Sequence, residues 1–290
     1  MRSWVLAARP HTLPAAVAPV LVGTAVGVHE GGAFRALPFA GALLGALLIQ
    51  VATNFANDYS DFHRGADTAE RMGPTRVTQS GLLEAAQVRR AIVVTFGLAV
   101  LVGLYLAWVG GWPIVAIGVA SIVCGLAYTG GPWPYGYHGL GDLFVFVFFG
   151  LVAVCGSAYL QSGGVGALAV AAAIPVGFLA TNILVVNNLR DLPTDELAGK
   201  RTLAVLLGAR AVRWEYVALA ALAYLAPVLL VARGLAGRWA LLPWLTLPLA
   251  LPLVRRVLTG VAGRALNEVL ARTGRLQLAY SVLLAVGVVV

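Results

Sequence analysis

The sequence predicts an all-α protein, a polytopic membrane helical bundle of about nine transmembrane helices with its amino terminus cytoplasmic, and three observations carry that prediction. Of its 290 residues, 60% are hydrophobic and 11% charged, a balance outside the range of water-soluble domains. Its apolar residues fall in runs near the ~20 residues that cross a bilayer core. Its basic residues collect in alternate connections between those runs, as the positive-inside rule requires.

The runs lie at roughly 11–28, 36–55, 91–109, 112–129, 140–160, 165–188, 213–232, 239–257 and 276–290, each read as one helix. The first follows a basic start interrupted by Arg9-Pro10 and is long, so it reads as a retained span and not as a cleaved signal peptide. The last is short. Gly110-Gly111, Gly130-Gly131-Pro132 and Gly163-Gly164 mark tight turns. Three connections are long, at roughly 56–90, 189–213 and 258–275, and structureless loops beyond about 12–15 residues are usually functional. No linker or low-complexity tract divides the chain, so residues 1–290 read as a single transmembrane domain.

A net charge of +8 would suit a nucleic-acid binder if it formed one patch, but its distribution excludes that. With the amino terminus inside, the cytoplasmic segments hold all but Arg35, Arg233 and Arg238 of the 20 basic residues. The partner these charges imply is the lipid bilayer. Cys124 and Cys155 sit in separate apolar runs with no Cys or His at metal-ligand spacing, and read as small buried hydrophobes.

Two polar stretches stand out, at 54–81 and 187–202, each beginning where a span ends. Asn54, Asn57, Asp58 and Asp61 fall at i, i+3, i+4 and i+7, one face of a helix, with Asp67 after a gap of five. Asn187 or Asn188, Asp191 and Asp195 repeat the stripe. Thr53-Asn54 is echoed by Thr181-Asn182, and Gly73-Pro74-Thr75-Arg76 loosely by Gly199-Lys200-Arg201-Thr202. Internal repeats of this kind place a site where the two halves meet.

Asp and Asn oxygens are hard ligands suited to Mg²⁺, which is typically held by one or two carboxylates together with substrate phosphates. Two such clusters facing each other suggest a diphosphate clamp, with Arg64, Arg71, Arg76, Arg190, Lys200 and Arg201 near enough to bind the remaining oxygens. The plainer reading is helix capping, with Asp58 or Asp61 pairing with Arg64. It suits any one residue fairly but both clusters together poorly, because carboxylates at the membrane edge are costly and usually functional. Asp67 stands between a metal ligand and a solvated loop charge. A lipid head-group transferase would carry Asp-x-x-Asp-Gly, but Phe62 follows Asp61. A transporter would hold its acids near the bilayer midplane, and these lie at the cytoplasmic ends of spans.

Asn57-Asp58-Tyr59-Ser60-Asp61 with Asp67, followed by Arg71-Met72-Gly73-Pro74-Thr75-Arg76-Val77-Thr78-Gln79-Ser80-Gly81, resembles the first motif of the UbiA superfamily of intramembrane aromatic prenyltransferases, in the branch that prenylates 1,4-dihydroxy-2-naphthoate. Asn187-Asn188-Leu189-Arg190-Asp191 with Asp195, Gly199 and Lys200 resembles the second. The segments Ala8 to Pro14 and Tyr128 to Asp142 extend the likeness over nearly the whole chain, although Trp133 stands where a basic or small residue is expected.

The resemblance implies nine spans, Mg²⁺ as cofactor, and transfer of a polyprenyl group from polyprenyl diphosphate to the aromatic ring with loss of CO₂ and diphosphate. It implies that Asn57, Asp58, Asp61, Asp191 and Asp195 hold the metal, with Asn54, Asn187 and Asn188 as supporting donors. Arg71, Arg76, Arg190 and Lys200 become diphosphate contacts, and Asp67 and Gln79 join the substrate site. Tyr59, Tyr128 and Tyr159 are candidates to face an allylic cation, or are interfacial anchors. Asp142 is a candidate for the acceptor's hydroxyl, or a helix-start carboxylate. Phe144, Phe146, Phe148 and Phe149 read as lipid-facing packing ahead of a prenyl tunnel. Other acceptors of the superfamily, 4-hydroxybenzoate, homogentisate and haem among them, remain open.

Overall fold

The computed structural model describes residues 2–31, 33–66 and 72–290, and every regular element among them is helical. The chain runs through α1 (Arg2–Ala8), α2 (Pro14–Gly31), α3 (Ala36–His63), α4 (Ala85–Gly110), α5 (Trp112–Ala127), α6 (Gly141–Val145), α7 (Ala153–Ser162), α8 (Ala167–Leu197), α9 (Leu203–Ala232), α10 (Leu247–Leu258) and α11 (Leu266–Val289). Among the described residues six helical rods are long and apolar enough to cross a membrane, and a seventh if the 50° bent pair Arg2–Thr12 and Pro14–Gly31 is one span. This is a multi-pass membrane protein. The expectation of nine spans meets two elements that fall outside those limits: α5 is short, and α11 carries Glu268, Arg272 and Arg275 on its first turns.

Several helices extend past the apolar runs that announced them. α3 continues from the predicted end near 55 to His63, and α8 from 188 to Leu197, because each acidic stripe keeps helical periodicity after hydrophobicity stops. α9 begins at Leu203, ten residues before the run, and bends at Gly208, whose φ of 80° only glycine takes without strain.

α8 forms the middle of the bundle, with 72% of its apolar window buried inside the protein. In a bilayer, helices gain little from burying apolar surface against one another, so close approach and polar contacts must hold them. Both are present. Gly23, Gly27 and Gly31 on α2 lie against Val154, Ala158 and Ser162 on α7, so two four-residue stripes run in register. The Tyr216 hydroxyl of α9 and the fully buried Thr273 hydroxyl of α11 are 3.0 Å apart, and the Tyr280 hydroxyl of α11 donates to the Ala223 carbonyl of α9 at 2.6 Å.

The α6–α7 rod is widened at Phe146–Val152 by a π-helical stretch, which lets Phe148 and its neighbour Phe149 both face the interior. Gly150 in that stretch meets Gly177 of α8 backbone to backbone.

A Cβ at Gly23 would stand 2.2 Å from the Val154 carbonyl oxygen, and at Gly27 2.5 Å from that of Ala158. Gly23→Leu and Gly27→Leu are therefore expected to cost at least the ~1–3 kcal/mol of an overpacked core. Thermal unfolding in detergent checks this; an unchanged midpoint in both would show that α2 and α7 do not meet here.

Candidate active site

The end of α3 is pinned from three sides. Asn54 donates through Nδ2 to the Ala8 carbonyl at 3.0 Å and to Thr12 Oγ1 at 3.1 Å, fastening the bent amino-terminal segment to the helix. Asn57 accepts a hydrogen bond from Thr129 Oγ1 at 2.9 Å, from the loop after α5. Asp58 turns the other way. Its two carboxylate oxygens accept the backbone N–H of Val77 (3.1 Å) and of Thr78 (3.0 Å), and also the Thr78 hydroxyl.

The loop so caught is ordered by its own sequence. Val77 is fully buried beside Ala7, Phe55 and Val88, and the Ser80, Gly81 and Leu83 N–H groups bond back to Arg76, Thr78 and Val77 carbonyls. With the residues on either side fixed, Arg76 reaches Asp61 Oδ2 at 2.9 Å.

On α8, Arg190 grips its neighbour Asp191 with two parallel bonds, Nε to Oδ1 at 2.8 Å and Nη2 to Oδ2 at 2.6 Å. Its remaining reach goes to Asn187 Oδ1 (2.8 Å) and Asn267 Oδ1 (2.9 Å), while Asn267 donates to the Met72 carbonyl at 3.1 Å. Asn267 thus ties the second motif to the loop of the first. Gly73 leaves room for that guanidinium, since a Cβ would lie 2.7 Å from Arg190 Nη2.

Lys200 joins the two acidic stripes, its Nζ 3.3 Å from Asp61 Oδ1 and 3.9 Å from Asp195 Oδ1. It rests 4.7 Å from the centre of the Tyr137 ring, and the Tyr137 hydroxyl donates to Asp61 Oδ1 at 2.6 Å. Charges this deeply buried require partners, and Asp61, 1% exposed, has Arg76, Lys200 and Tyr137.

These groups close one end of a cavity of about 540 Å³ whose remaining wall is largely apolar, drawn from α2, α3, α4, α5, α7 and the π-helical stretch. Asn54, Asn57, Asp61, Arg76, Tyr128, Asn187, Asn188, Asp191, Asp195 and Lys200 all line it, so the structure brings most of both motifs together. Asp58, Gln79, Asp142 and Arg190 do not. Asp58 and Arg190 instead hold the loop and Asp191 in place, and Gln79 lies half-buried in the same loop. Asp142 is buried beside Tyr128, and among the described residues neither of its oxygens has a hydrogen-bond partner. Asp67 and Arg71 lie outside the described residues.

The aromatic expectations divide. Tyr59 packs under the first-motif loop and Tyr159 against Leu160 and Ile114, both away from the cavity. Phe144, Phe148 and Phe149 line it, against the lipid-facing expectation; the π-helical widening turns Phe148 and Phe149 inward, while Phe144, in α6 ahead of it, stacks on Tyr135, and Phe146 stacks on Phe178. Spacing assigns Tyr135 and Tyr137 no role, since they lie in a single 3₁₀ turn, Tyr135–His138, too short to show a helical period in the sequence. Burial raises the phenol of Tyr135 above its ordinary range, so it stays neutral.

The oxygens of Asn57, Asp61, Asn187, Asn188, Asp191 and Asp195 make a hard donor set that fits Mg²⁺. Among the described residues no three His, Cys, Asp or Glu side chains converge to chelate an ion alone. An ion here would complete its shell from water and a bound diphosphate.

Removing the Tyr137 hydroxyl leaves a buried carboxylate oxygen short of one donor. Hydrogen bonds to charged groups contribute ~1.5–3 kcal/mol, so Tyr137→Phe is expected to lower kcat/KM by about 10- to 100-fold. Steady-state kinetics on purified variant checks this, and a wild-type value would remove Tyr137 from the site.

The sequence profile of the UbiA prenyltransferase family matches residues 16–271. The chain is 42% identical to the 1,4-dihydroxy-2-naphthoate octaprenyltransferase of Mycobacterium tuberculosis, over 97% of this chain and 95% of the relative. It is 36% identical to the protein of that name in Escherichia coli, over 99% and 95%. Among solved structures, the fold is similar to that of an apo UbiA homolog from Aeropyrum pernix K1, with a TM-score of 0.71 and 17% identity over 96% of this chain and 97% of that one. A UbiA homolog from Archaeoglobus fulgidus bound to GPP and Mg²⁺ superposes with a TM-score of 0.68 and 14% identity over 97% and 99%. With most of its length matched, and with relatives of this identity end to end, the chain belongs to the UbiA prenyltransferase family.

Proposed function

We propose that this protein transfers a polyprenyl group from its diphosphate to 1,4-dihydroxy-2-naphthoate, releasing CO₂ and diphosphate and giving demethylmenaquinol for menaquinone biosynthesis. The observation that carries this reading is the cavity: one end holds hard oxygens and cations, the rest is apolar, and a diphosphate with a hydrocarbon tail has the same division. The acceptor follows from the relatives, whose names specify the naphthoate.

Asn57, Asp61, Asp191 and Asp195 would hold Mg²⁺, which when bound neutralises charge gathering on the leaving diphosphate. Arg76 and Lys200 face the same end and supply donors to its oxygens. As the bond between the first prenyl carbon and the diphosphate breaks, the apolar wall keeps water from the allylic carbon, and Tyr128 and Tyr135 present their rings to it. The ring carbon bearing the carboxylate forms the new C–C bond. The carboxylate then leaves as CO₂, its electron pair restoring aromaticity, so no proton is gained or lost.

Activity is expected to need Mg²⁺ and both motifs, with Asp61→Ala and Asp191→Ala each lowering turnover about 100-fold or more while the protein stays folded in detergent. Membranes supplied with Mg²⁺, a radiolabelled polyprenyl diphosphate and a panel of aromatic acids test this. Full activity in chelator, or in either variant, removes the clamp. With carboxyl-labelled naphthoate, label is expected as CO₂; prenylated product retaining it, or preference for 4-hydroxybenzoate, assigns another acceptor.

We further propose that residues 1–290 serve one site, with nine spans and the amino terminus and all three long connections in the cytoplasm. The asymmetry of the basic residues supports this orientation. Leu197 is 82% exposed beside the second motif, so Leu197→Cys is expected to react only with a cytoplasmic thiol reagent. Labelling from outside intact cells would invert the topology.

A further inference from the structure

Glycines in these helices fall into two groups. Gly23, Gly27, Gly125, Gly150 and Gly177 each press on a neighbour that a Cβ would strike. Gly103 on α4 and Gly118 on α5 do not: a Cβ on either meets nothing within 4 Å. Glycine within a helix costs stability relative to alanine, and neither position returns it as packing. Both line the cavity.

Their depth can be read from the helices alongside. Gly125 of α5 lies against Thr53 of α3, and Gly118 is two turns farther from the acidic end. Gly103 adjoins Val102, whose Cγ1 a Cβ on Gly45 of α3 would meet at 3.7 Å. At 1.5 Å per residue, both stand about 20–25 Å along the bundle from Asp61. An isoprene unit has four chain carbons and adds about 5 Å at ordinary bond lengths. A tail extended from a diphosphate at the acidic end therefore reaches this level at about its fourth or fifth unit. Beside the glycines, Val100, Leu104, Val115 and Val119 line the cavity and are 46–62% exposed.

We propose that Gly103 and Gly118 set the prenyl chain length the enzyme accepts, by keeping open the passage between α4 and α5 through which units beyond about the fourth pass out of the cavity. This rests on the prenyl-diphosphate reading above. Gly97 supplies the comparison: a Cβ there also meets nothing within 4 Å, but Gly97 is exposed and not on the cavity wall.

The test measures kcat/KM with the naphthoate acceptor for farnesyl diphosphate, of three units, and octaprenyl diphosphate, of eight, in detergent-purified wild type, Gly103→Leu, Gly118→Leu and Gly97→Leu. The octaprenyl-to-farnesyl ratio is expected to fall at least tenfold in Gly103→Leu and Gly118→Leu and to hold in Gly97→Leu. A wild-type ratio in the first two, or an equal fall in all three, overturns the proposal. If either variant loses both activities, Gly103→Ala with Gly118→Ala, which adds one methyl at each open position, is read the same way, and loss of both activities there also overturns it. Wild type that uses neither diphosphate refutes the prenyl-transfer reading itself, an outcome separate from any change in ratio.

Discussion

The site depends on one buried carboxylate. Asp61 is 1% exposed and is met by Arg76 from the loop after α3, Tyr137 from the turn after α5, and Lys200 from the segment after α8. A charge this deep is tolerated only with hydrogen-bonded partners. Each segment must therefore arrive at its own position, and the surrounding contacts are the means. Asp58 holds the loop that aims Arg76, while Gly136, closely packed on Tyr128, fixes the turn that carries Tyr137. The Lys200 backbone N–H closes on the Asp195 carbonyl.

A second layer of contacts does for α8 what the first does for α3. Arg190 is only 2% exposed yet does not line the cavity; its work is to orient Asp191 and, through Asn267, to hold the Met72 carbonyl. The sequence expectation gave Asp58 and Arg190 the same duties as Asp61 and Lys200. Residue type did not separate cavity-lining groups from supports: Asp58 follows Asn57 and Arg190 precedes Asp191, and adjacent residues on a helix point about 100° apart, one into the cavity and the other into the wall.

The membrane class was legible in composition and run length, the two acidic stripes in the periodicity of one helix each, and their convergence on one cavity in the repeat of the stripe. Helix ends were less so: hydrophobic runs stop near residues 55 and 188, while the helices carry their polar stripes on to His63 and Leu197. Tyr137 and Asn267 were invisible for a different reason. Their partners are distant in sequence, 76 residues away for Tyr137 with Asp61 and 195 for Asn267 with Met72, and no local pattern records such a pairing. The inward turn of Phe148 and Phe149 depends on a local π-helical winding that standard helical spacing does not anticipate.

The long reach of Asn267 has a consequence for biogenesis. The chain is made from its amino terminus, and the loop carrying Arg76 is synthesised well before the last helix that supplies the bond to Met72. Until α11 enters the membrane, the loop and Arg190 both lack that contact. A segment made after both stripes thus closes the pocket's supporting frame, and a chain that has not yet reached α11 carries both acidic stripes without the brace that joins them.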